Sequence, residues 1–307
     1  METICVQKIL VPIDFSEASL NALNTAIFMA QRQHAQIILF HVVNTYSILP
    51  NPDHDIIYDS NLEKLLDEHL KNIRKLADKI THQYFVDCRA FIRTGLVSSE
   101  ILRASIDFYA DIIVLSTYST SSTNNHFRIG SNTLSVIKNA NCPVLTVPPE
   151  QKFEKFSTIL YPIRPVKGAL EQYDLAKTIL RENKAELIVV GMVDNTHKES
   201  FELLNQETAL LNQKLKEDNL KAQSYFYFSQ DMPNKILEKA QDFQADLLVL
   251  TATLDHKVQD YYLGPFVERI LHFAKIPVLS IRPKPSDTLE IAPVNHKNYA
   301  IKMLGII

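Results

Sequence analysis

A glycine followed by small polar residues stands at the start of a helical pattern in the segment FRIGSNTL, residues 127–134. The first four backbone amides of a helix lack partners within the helix, so a turn such as Gly130-Ser131-Asn132 can bind an anion such as phosphate. Ser, Thr and Asn also begin many helices only because their side chains cap those amides. The segment alone therefore leaves two interpretations open, an anion-binding turn and a helix cap.

A carboxylate is the second group that could contact a polar ligand. Asp14 ends the apolar run KILVPID. At the carboxyl end of a strand, a carboxylate can accept a hydrogen bond from a sugar hydroxyl. An Asp two residues before Ser16 can equally stabilise the start of the helix that follows. Both interpretations of Asp14 stay open.

The sequence gives little support to catalysis or metal binding. It contains no GxSxG elbow, no Walker lysine, no HExxH pair and no Cys-His signature. Cys5, Cys88 and Cys142 are too scattered for a disulfide framework or a CxxC site. His126 and Arg128 could approach a phosphate, although charged loop residues are usually solvated. We predict no catalytic residue and no metal ligand.

Composition limits the partners of the chain. Its 307 residues include 32 basic and 35 acidic side chains, a net charge of −3, which is unlike a nucleic-acid-binding surface. The first residues do not form a signal peptide, and no apolar run of 18 residues appears. We expect a cytoplasmic protein that binds neither nucleic acid nor membrane.

The sequence contains two copies of one pattern. Four blocks recur in the same order: KILVPID and TILYPIR, AQIILFHVV and AELIVVGMV, ADIIVLS and ADLLVLT, NCPVLTV and KIPVLSI. Such recurrence indicates a duplicated domain. We predict domains at residues 1–150 and 151–283, with a C-terminal tail at 284–307.

Apolar runs alternate with helical patterns in each copy. In the first copy we predict helices at 17–33, 62–80 and 98–109 and from Ser131, and strands that include KILVPI, QIILFHVV and residues 85–93. Strands that are apolar on both faces and separated by helices indicate a parallel sheet covered on both sides. Each copy is therefore predicted to be a five-stranded, doubly wound α/β domain.

Several of these blocks together resemble the universal stress protein family. The resemblance rests on ILVPIDFSEAS with ILFHVV, on RTGLVSSEIL with ADIIVLST, and on IGS with NCPVLTV. It covers residues 4–148 well and 157–282 more loosely, as in a tandem two-domain member. It implies flavodoxin-like (adenine nucleotide alpha-hydrolase-like) domains that pair through their last strands as an intramolecular pseudo-dimer, and it also allows a homodimer.

One branch of this family binds ATP or another adenine nucleotide. Its signature is Gly, two residues, Gly, nine residues, then Gly and Ser or Thr. Gly130 and Ser131 match the last two positions, but Thr117 and Thr120 replace the first two glycines. Threonine resists positive φ, although its hydroxyl could donate to an anion. The resemblance implies a site made by Pro12, Ile13, Asp14, Val42, Val43, Thr117, Thr120, Gly130, Ser131 and Asn132, with Asp14 beside the ribose and the two valines beside the adenine.

The second copy departs further from the signature. Arg164 replaces Asp14, Gly264-Pro265 replaces Gly130-Ser131, and the earlier glycine positions fall on Thr251 and Leu254. Proline has neither a backbone N–H nor a hydroxyl, although it suits the first turn of a helix. We expect no ATP in this degenerate second domain.

Two functions remain open. The first is a cytoplasmic stress-response protein that binds an adenine nucleotide in its N-terminal domain only, with at most slow ATP hydrolysis. The alternative is a tandem module that binds no nucleotide and acts through protein interaction or dimerisation.

Overall fold

The computed structural model describes residues 5–44, 60–118, 129–149, 152–163, 173–193, 198–251 and 264–281. Helices and strands alternate along these segments. In chain order they are β1 (Lys8–Pro12), α1 (Glu17–Gln33), β2 (Gln36–Val43), α2 (Ser60–Tyr84), β3 (Cys88–Thr94), α3 (Val97–Asp107), β4 (Ile112–Ser116), α4 (Ser131–Asn139), β5 (Val144–Val147), β6 (Thr158–Ile163), α5 (Tyr173–Asn183), β7 (Glu186–Val193), α6 (Lys198–Glu217), β8 (Ala222–Phe228), α7 (Met232–Asp242), β9 (Leu247–Thr251), α8 (Pro265–Phe273) and β10 (Val278–Ile281).

The ten strands of the described segments form one sheet in the order β3-β2-β1-β4-β5-β10-β9-β6-β7-β8. Neighbouring strands are parallel within each half. The halves meet where β5 pairs antiparallel with β10, with Val144 opposite Ser280 and Thr146 opposite Val278. The sequence prediction of two five-stranded parallel α/β domains is confirmed.

Apolar side chains fill both faces of the sheet. On one face the core includes residues of α1, α2, α5 and α6, such as Leu23, Ile73 and Leu211. On the other face it includes residues of α3, α4, α7 and α8, such as Ile101, Val136 and Ile270. Each of the two cores contains residues of both halves. None of the described helices is long and apolar enough to cross a membrane.

The third strand starts later than its sequence suggests. Helix α2 continues to Tyr84, and Phe85 then adopts a left-handed φ of 57°. The N–H of Phe85 donates to the carbonyl of Thr81 at 3.1 Å, and its side chain is 91% exposed. The strand is present but begins at Cys88, later than the start predicted near residue 85. Aromatic residues such as Phe85 are common in strands, so the residue type favoured a strand at a position that ends a helix.

Candidate functional site

The ends of three strands meet at one edge of the first half-sheet. β1 lies between β2 and β4, and all three strands are parallel. The chain therefore leaves the sheet in opposite directions on the two sides of the gap between β1 and β4. Open α/β sheets bind ligands at such a topological switch point, beyond the carboxyl ends of the strands. Asp14 follows β1 and Thr117 follows β4, so both residues lie at this edge.

The start of α4 has no side-chain cap. Its N-cap residue is Gly130, and no side chain accepts from the first-turn amides. The first amide bonded within the helix is that of Leu134, which donates to the carbonyl of Gly130 at 2.9 Å. The preceding amides, those of Ser131, Asn132 and Thr133, have no acceptor among the described residues. Ser131 and Asn132 are exposed. The helix-cap interpretation of the Gly-Ser segment is therefore wrong, and three amides remain able to donate to an anion.

Thr117 connects β4 to this turn. Its N–H donates to Val147 at 3.1 Å, and its carbonyl accepts from the N–H of Gly130 at 2.9 Å. The residue is only 3% exposed, yet its hydroxyl Oγ1 has no hydrogen-bond partner in the described structure. A buried polar group without a partner costs about 1–3 kcal/mol. A ligand that accepted from this hydroxyl would remove that cost.

Asp14 stabilises the start of α1 with one carboxylate oxygen. Oδ1 accepts from the N–H of Ser16 at 3.0 Å and from its hydroxyl at 2.5 Å, and Ser16 caps the helix by accepting from the N–H of Ser19 at 3.1 Å. Burial opposes ionisation of the carboxyl, but these hydrogen bonds outweigh it and hold the pKa of Asp14 below its ordinary value. The Ser19 side chain also contributes to this lowering. The other oxygen, Oδ2, takes no part in the bonds to Ser16.

The remaining strand residues of the predicted site lie at the same edge. Pro12 ends β1, and the N–H of Ile13 donates to Phe40 on β2 at 2.8 Å. Val42 and Val43 end β2 and, as neighbours on a strand, point to opposite faces of the sheet. Val43 is 4% exposed and belongs to the core with α1 and α2, whereas half-buried Val42 packs on the core with α3 and α4. Only one of the two valines can therefore face a given ligand.

His41 is a residue of this edge that the sequence prediction missed. Its Nδ1–H donates to the carbonyl of Ile13 at 2.7 Å, and its ring stacks on that of His69 from α2 with 4.7 Å between centroids. Burial, opposed by this hydrogen bond, lowers the pKa of His41, so the ring is neutral near neutral pH. The hydrogen bond from His41 holds Ile13, the residue between β1 and Asp14, in position. A single polar residue inside the apolar strand QIILFHVV was the available signal.

Several residues named in the sequence analysis lie outside the described residues: Thr120, His126, Arg128, Arg164, Leu254 and the tail at 284–307.

The corresponding turn of the second half has a different pattern of amides. Gly264 is the N-cap of α8 and Pro265 is its first residue, so one amide is missing. The N–H of Val267 already donates to the carbonyl of Gly264 at 2.9 Å, whereas the equivalent Thr133 amide of the first half has no acceptor. The second turn therefore offers an anion fewer donors than the first.

The described residues contain no metal site, and two of the three thiols are not activated. The described segments contain no group of three or more His, Cys, Asp or Glu that could hold a metal ion. Burial raises the pKa of the Cys88 and Cys142 thiols to about 12, so both are protonated and unreactive at neutral pH. The arrangement at the edge of the first half is suited to binding an anion and a hydroxyl.

Comparison with known proteins agrees with this architecture. The model of the universal stress protein family matches the chain twice, at residues 6–148 and 155–282. Two proteins of Methanocaldococcus jannaschii are similar to one half: universal stress protein MJ0531, 31% identical over 149 residues (48% of this chain, 84% of the relative), and universal stress protein MJ0577, 26% identical over 157 residues (47% and 96%).

A solved structure matches both halves. The crystal structure of a universal stress protein from Archaeoglobus fulgidus covers 91% of this chain and 97% of its own, at 17% identity and a TM-score of 0.69. At that identity the likeness concerns the fold. Together with the two family matches, it leads to one conclusion: the chain belongs to the universal stress protein family and carries two universal stress protein domains in tandem.

Proposed function

We propose that the first domain of this universal stress protein binds ATP or another adenine nucleotide and that the second domain does not. The observation that carries the proposal is the uncapped start of α4. Three amides without acceptors lie there, and the same turn is hydrogen-bonded to Thr117, whose buried hydroxyl has no partner. Helix starts of this kind bind phosphate groups.

Each part of a nucleotide has a group to match it in the first domain. The amides of Ser131, Asn132 and Thr133 donate to phosphate oxygens, and the Thr117 hydroxyl adds a donor in place of the lost glycine. Oδ2 of Asp14, which takes no part in the bonds to Ser16, accepts from a ribose hydroxyl. Half-buried Val42 offers an apolar surface to the adenine ring.

The second domain supports the restriction to one site. Pro265 removes an amide, and the Val267 amide is already bonded within its own turn. The helix is kept while two donors are lost. We therefore expect one nucleotide per chain.

The proposal is tested by exchanging the residues that follow the two N-cap glycines. Ser131→Pro gives the first turn the residue of the second, and proline suits the first position of a helix, so α4 should still form. Because a hydrogen bond to a charged group contributes about 1.5–3 kcal/mol, ATP affinity should fall about 10- to 100-fold. The matched control Pro265→Ser should leave affinity unchanged. Calorimetric titration with ATP, together with mass spectrometry of small molecules released from the purified protein, measures both affinity and stoichiometry.

The outcomes separate the two functions. Saturating ATP at 100 times its dissociation constant should stabilise the protein by about 2.7 kcal/mol. A wild-type protein that shows neither heat of binding, co-purified nucleotide nor this stabilisation would favour the tandem module that acts through protein interaction. Two nucleotides per chain would contradict the restriction to the first domain.

A further inference from the structure

A side chain of the second domain contacts the turn that precedes α4. The backbone N–H of Ile129 donates to Nδ1 of His272 at 3.2 Å. Ile129 is the residue before the N-cap Gly130, whereas His272 lies in the last turn of α8. This hydrogen bond therefore joins the second domain to the candidate anion-binding turn of the first.

The chemistry of the contact fixes the state of the ring. A backbone amide can only donate, so Nδ1 must accept, and the single proton of the neutral imidazole is on Nε2. Nε2 faces Oε1 of Glu268, one helical turn earlier on α8, at 3.8 Å. Because the carboxylate favours a proton on Nε2, it supports the tautomer that leaves Nδ1 free to accept.

The position of the two helices explains why the domains meet here. β5 and β10 are adjacent at the centre of the sheet, and α4 and α8 pack on the same face, where both contribute to one core. Ile129 itself is 6% exposed and belongs to that core. The contact is thus part of a packed junction.

Hydrogen bonds hold both amides before α4, while the next three are open. The Ile129 amide donates to His272, and the Gly130 amide donates to Thr117 at 2.9 Å. The amides of residues 131–133 have no acceptor among the described residues. Fixing the two preceding peptides sets the direction in which the open amides point.

We propose that His272 is a positioning residue through which the second domain controls the nucleotide site of the first. This inference rests on the proposed function and adds its regulation: a domain that has lost its own anion-binding turn maintains that of its neighbour. A change in how α8 packs would then alter nucleotide affinity in the first domain.

The two copies differ at this position. α4 and α8 align with a shift of 134 residues, which places Lys138 of the first domain at the position of His272. An ammonium group donates and cannot accept. The residue equivalent to His272 therefore cannot accept a backbone amide in the way that His272 does.

Two substitutions at His272 test the proposal. His272→Leu removes the acceptor, whereas His272→Asn places an amide oxygen near the position of Nδ1. We expect His272→Leu to speed exchange of the Ile129 amide about tenfold in the ligand-free protein, because the amide loses its partner, and to weaken ATP binding about fivefold or more. His272→Asn should restore both values towards wild type. Lys275→Ala, at an exposed residue that follows α8, is the control and should change neither.

Amide exchange and ATP affinity test separate parts of the proposal. If His272→Leu left Ile129 exchange at the wild-type rate, the contact would not hold the turn. If exchange rose while ATP affinity stayed the same, the turn would not need His272 for binding. A wild-type protein without ATP binding would remove the proposed function, and the exchange measurement would still decide whether His272 holds the turn.

Discussion

Gly130 has no side chain, and this leaves the first turn of α4 open. Its φ of −64° and ψ of 144° suit any N-cap residue, so its conformation does not require glycine. In Gly130→Asp the new carboxylate should accept from the amides of the first turn and raise stability by about 0.3–1 kcal/mol. The same carboxylate should exclude ATP, because it occupies those amides and repels phosphate. Urea unfolding and ATP titration measure the two effects.

Gly264→Asp at the N-cap of α8 is the matched control for this residue. It should leave ATP affinity unchanged, because the proposed site is in the first domain. ATP binding by Gly130→Asp at wild-type affinity would show that phosphate does not contact this turn.

His41 should make the protein sensitive to mild acid. Burial lowers its pKa below the ordinary value of 6.5, so the unfolded chain binds a proton at higher pH than the folded chain does. The stability that His41 provides is therefore fully present above that pH and is lost as the pH falls through it towards the folded pKa, by up to about 1.4 kcal/mol per pH unit. In His41→Asn the amide can still donate to Ile13 but does not titrate. Urea unfolding between about pH 7 and pH 5 should show a smaller loss of stability for this variant.

One result would contradict the assignment of this pH dependence to His41. If wild type and His41→Asn lost stability in parallel over this range, the proton that destabilises the fold would bind elsewhere. Asp14 does not contribute to this loss, because its pKa lies below its ordinary value of 3.8 and so outside the measured pH range.

At the scale of elements, the pairing of β7 with β8 depends on a glycine. Gly191 lies directly opposite Phe226. A Cβ added at Gly191 would lie 2.7 Å from Cδ1 of Phe226 and 3.1 Å from Cδ2 of Leu204. We expect Gly191→Ala to destabilise the protein by about 1–3 kcal/mol, because the ring must move. Urea unfolding of the single variants and the double variant Gly191→Ala/Phe226→Ala measures this cost. The cost should be smaller in the double variant, where only the contact with Leu204 remains, and an equal cost in both backgrounds would contradict the clash with Phe226.

Most elements could be predicted from the sequence, because strands buried on both faces are continuously apolar and helices have a period of 3.6 residues. α1 and the start of α4 fall where the pattern placed them. The end of α2 did not, since the left-handed turn at Phe85 has no sequence signature such as glycine.

The contacts that complete the site were harder to predict. The bond from His41 joins β2 to Ile13, the residue after β1, and the bond from Ile129 to His272 joins residues 143 positions apart. Local patterns carry no information about such pairs. The sequence does identify Asp14, Thr117 and Gly130, because each follows a recognisable strand or begins a recognisable helix.

At the scale of the whole molecule, the two domains form one continuous structure. A single sheet runs through both, and each core contains residues from both halves. At the junction the hydroxyl of Thr146, fully buried, donates to the carbonyl of Val278 at 3.2 Å. Separate unfolding of either half would expose apolar surface of the other.

The molecule should therefore unfold as one cooperative unit. Leu211 on α6 is fully buried, so Leu211→Ala should lower the free energy of unfolding by about 2–5 kcal/mol. α6 packs on β6 and β7, which β9 and β10 separate from the strands of the first domain. Because both halves open together, the slowest-exchanging amides of β2 in the first domain should lose as much protection as those of β7. Leu210→Ala, at a neighbouring side chain that is 51% exposed, should change neither. Native-state hydrogen exchange measures both strands in one experiment. Faster exchange confined to β7 would mean that the domains unfold independently, and the junction would then be too weak to transmit a change at α8 to the turn before α4.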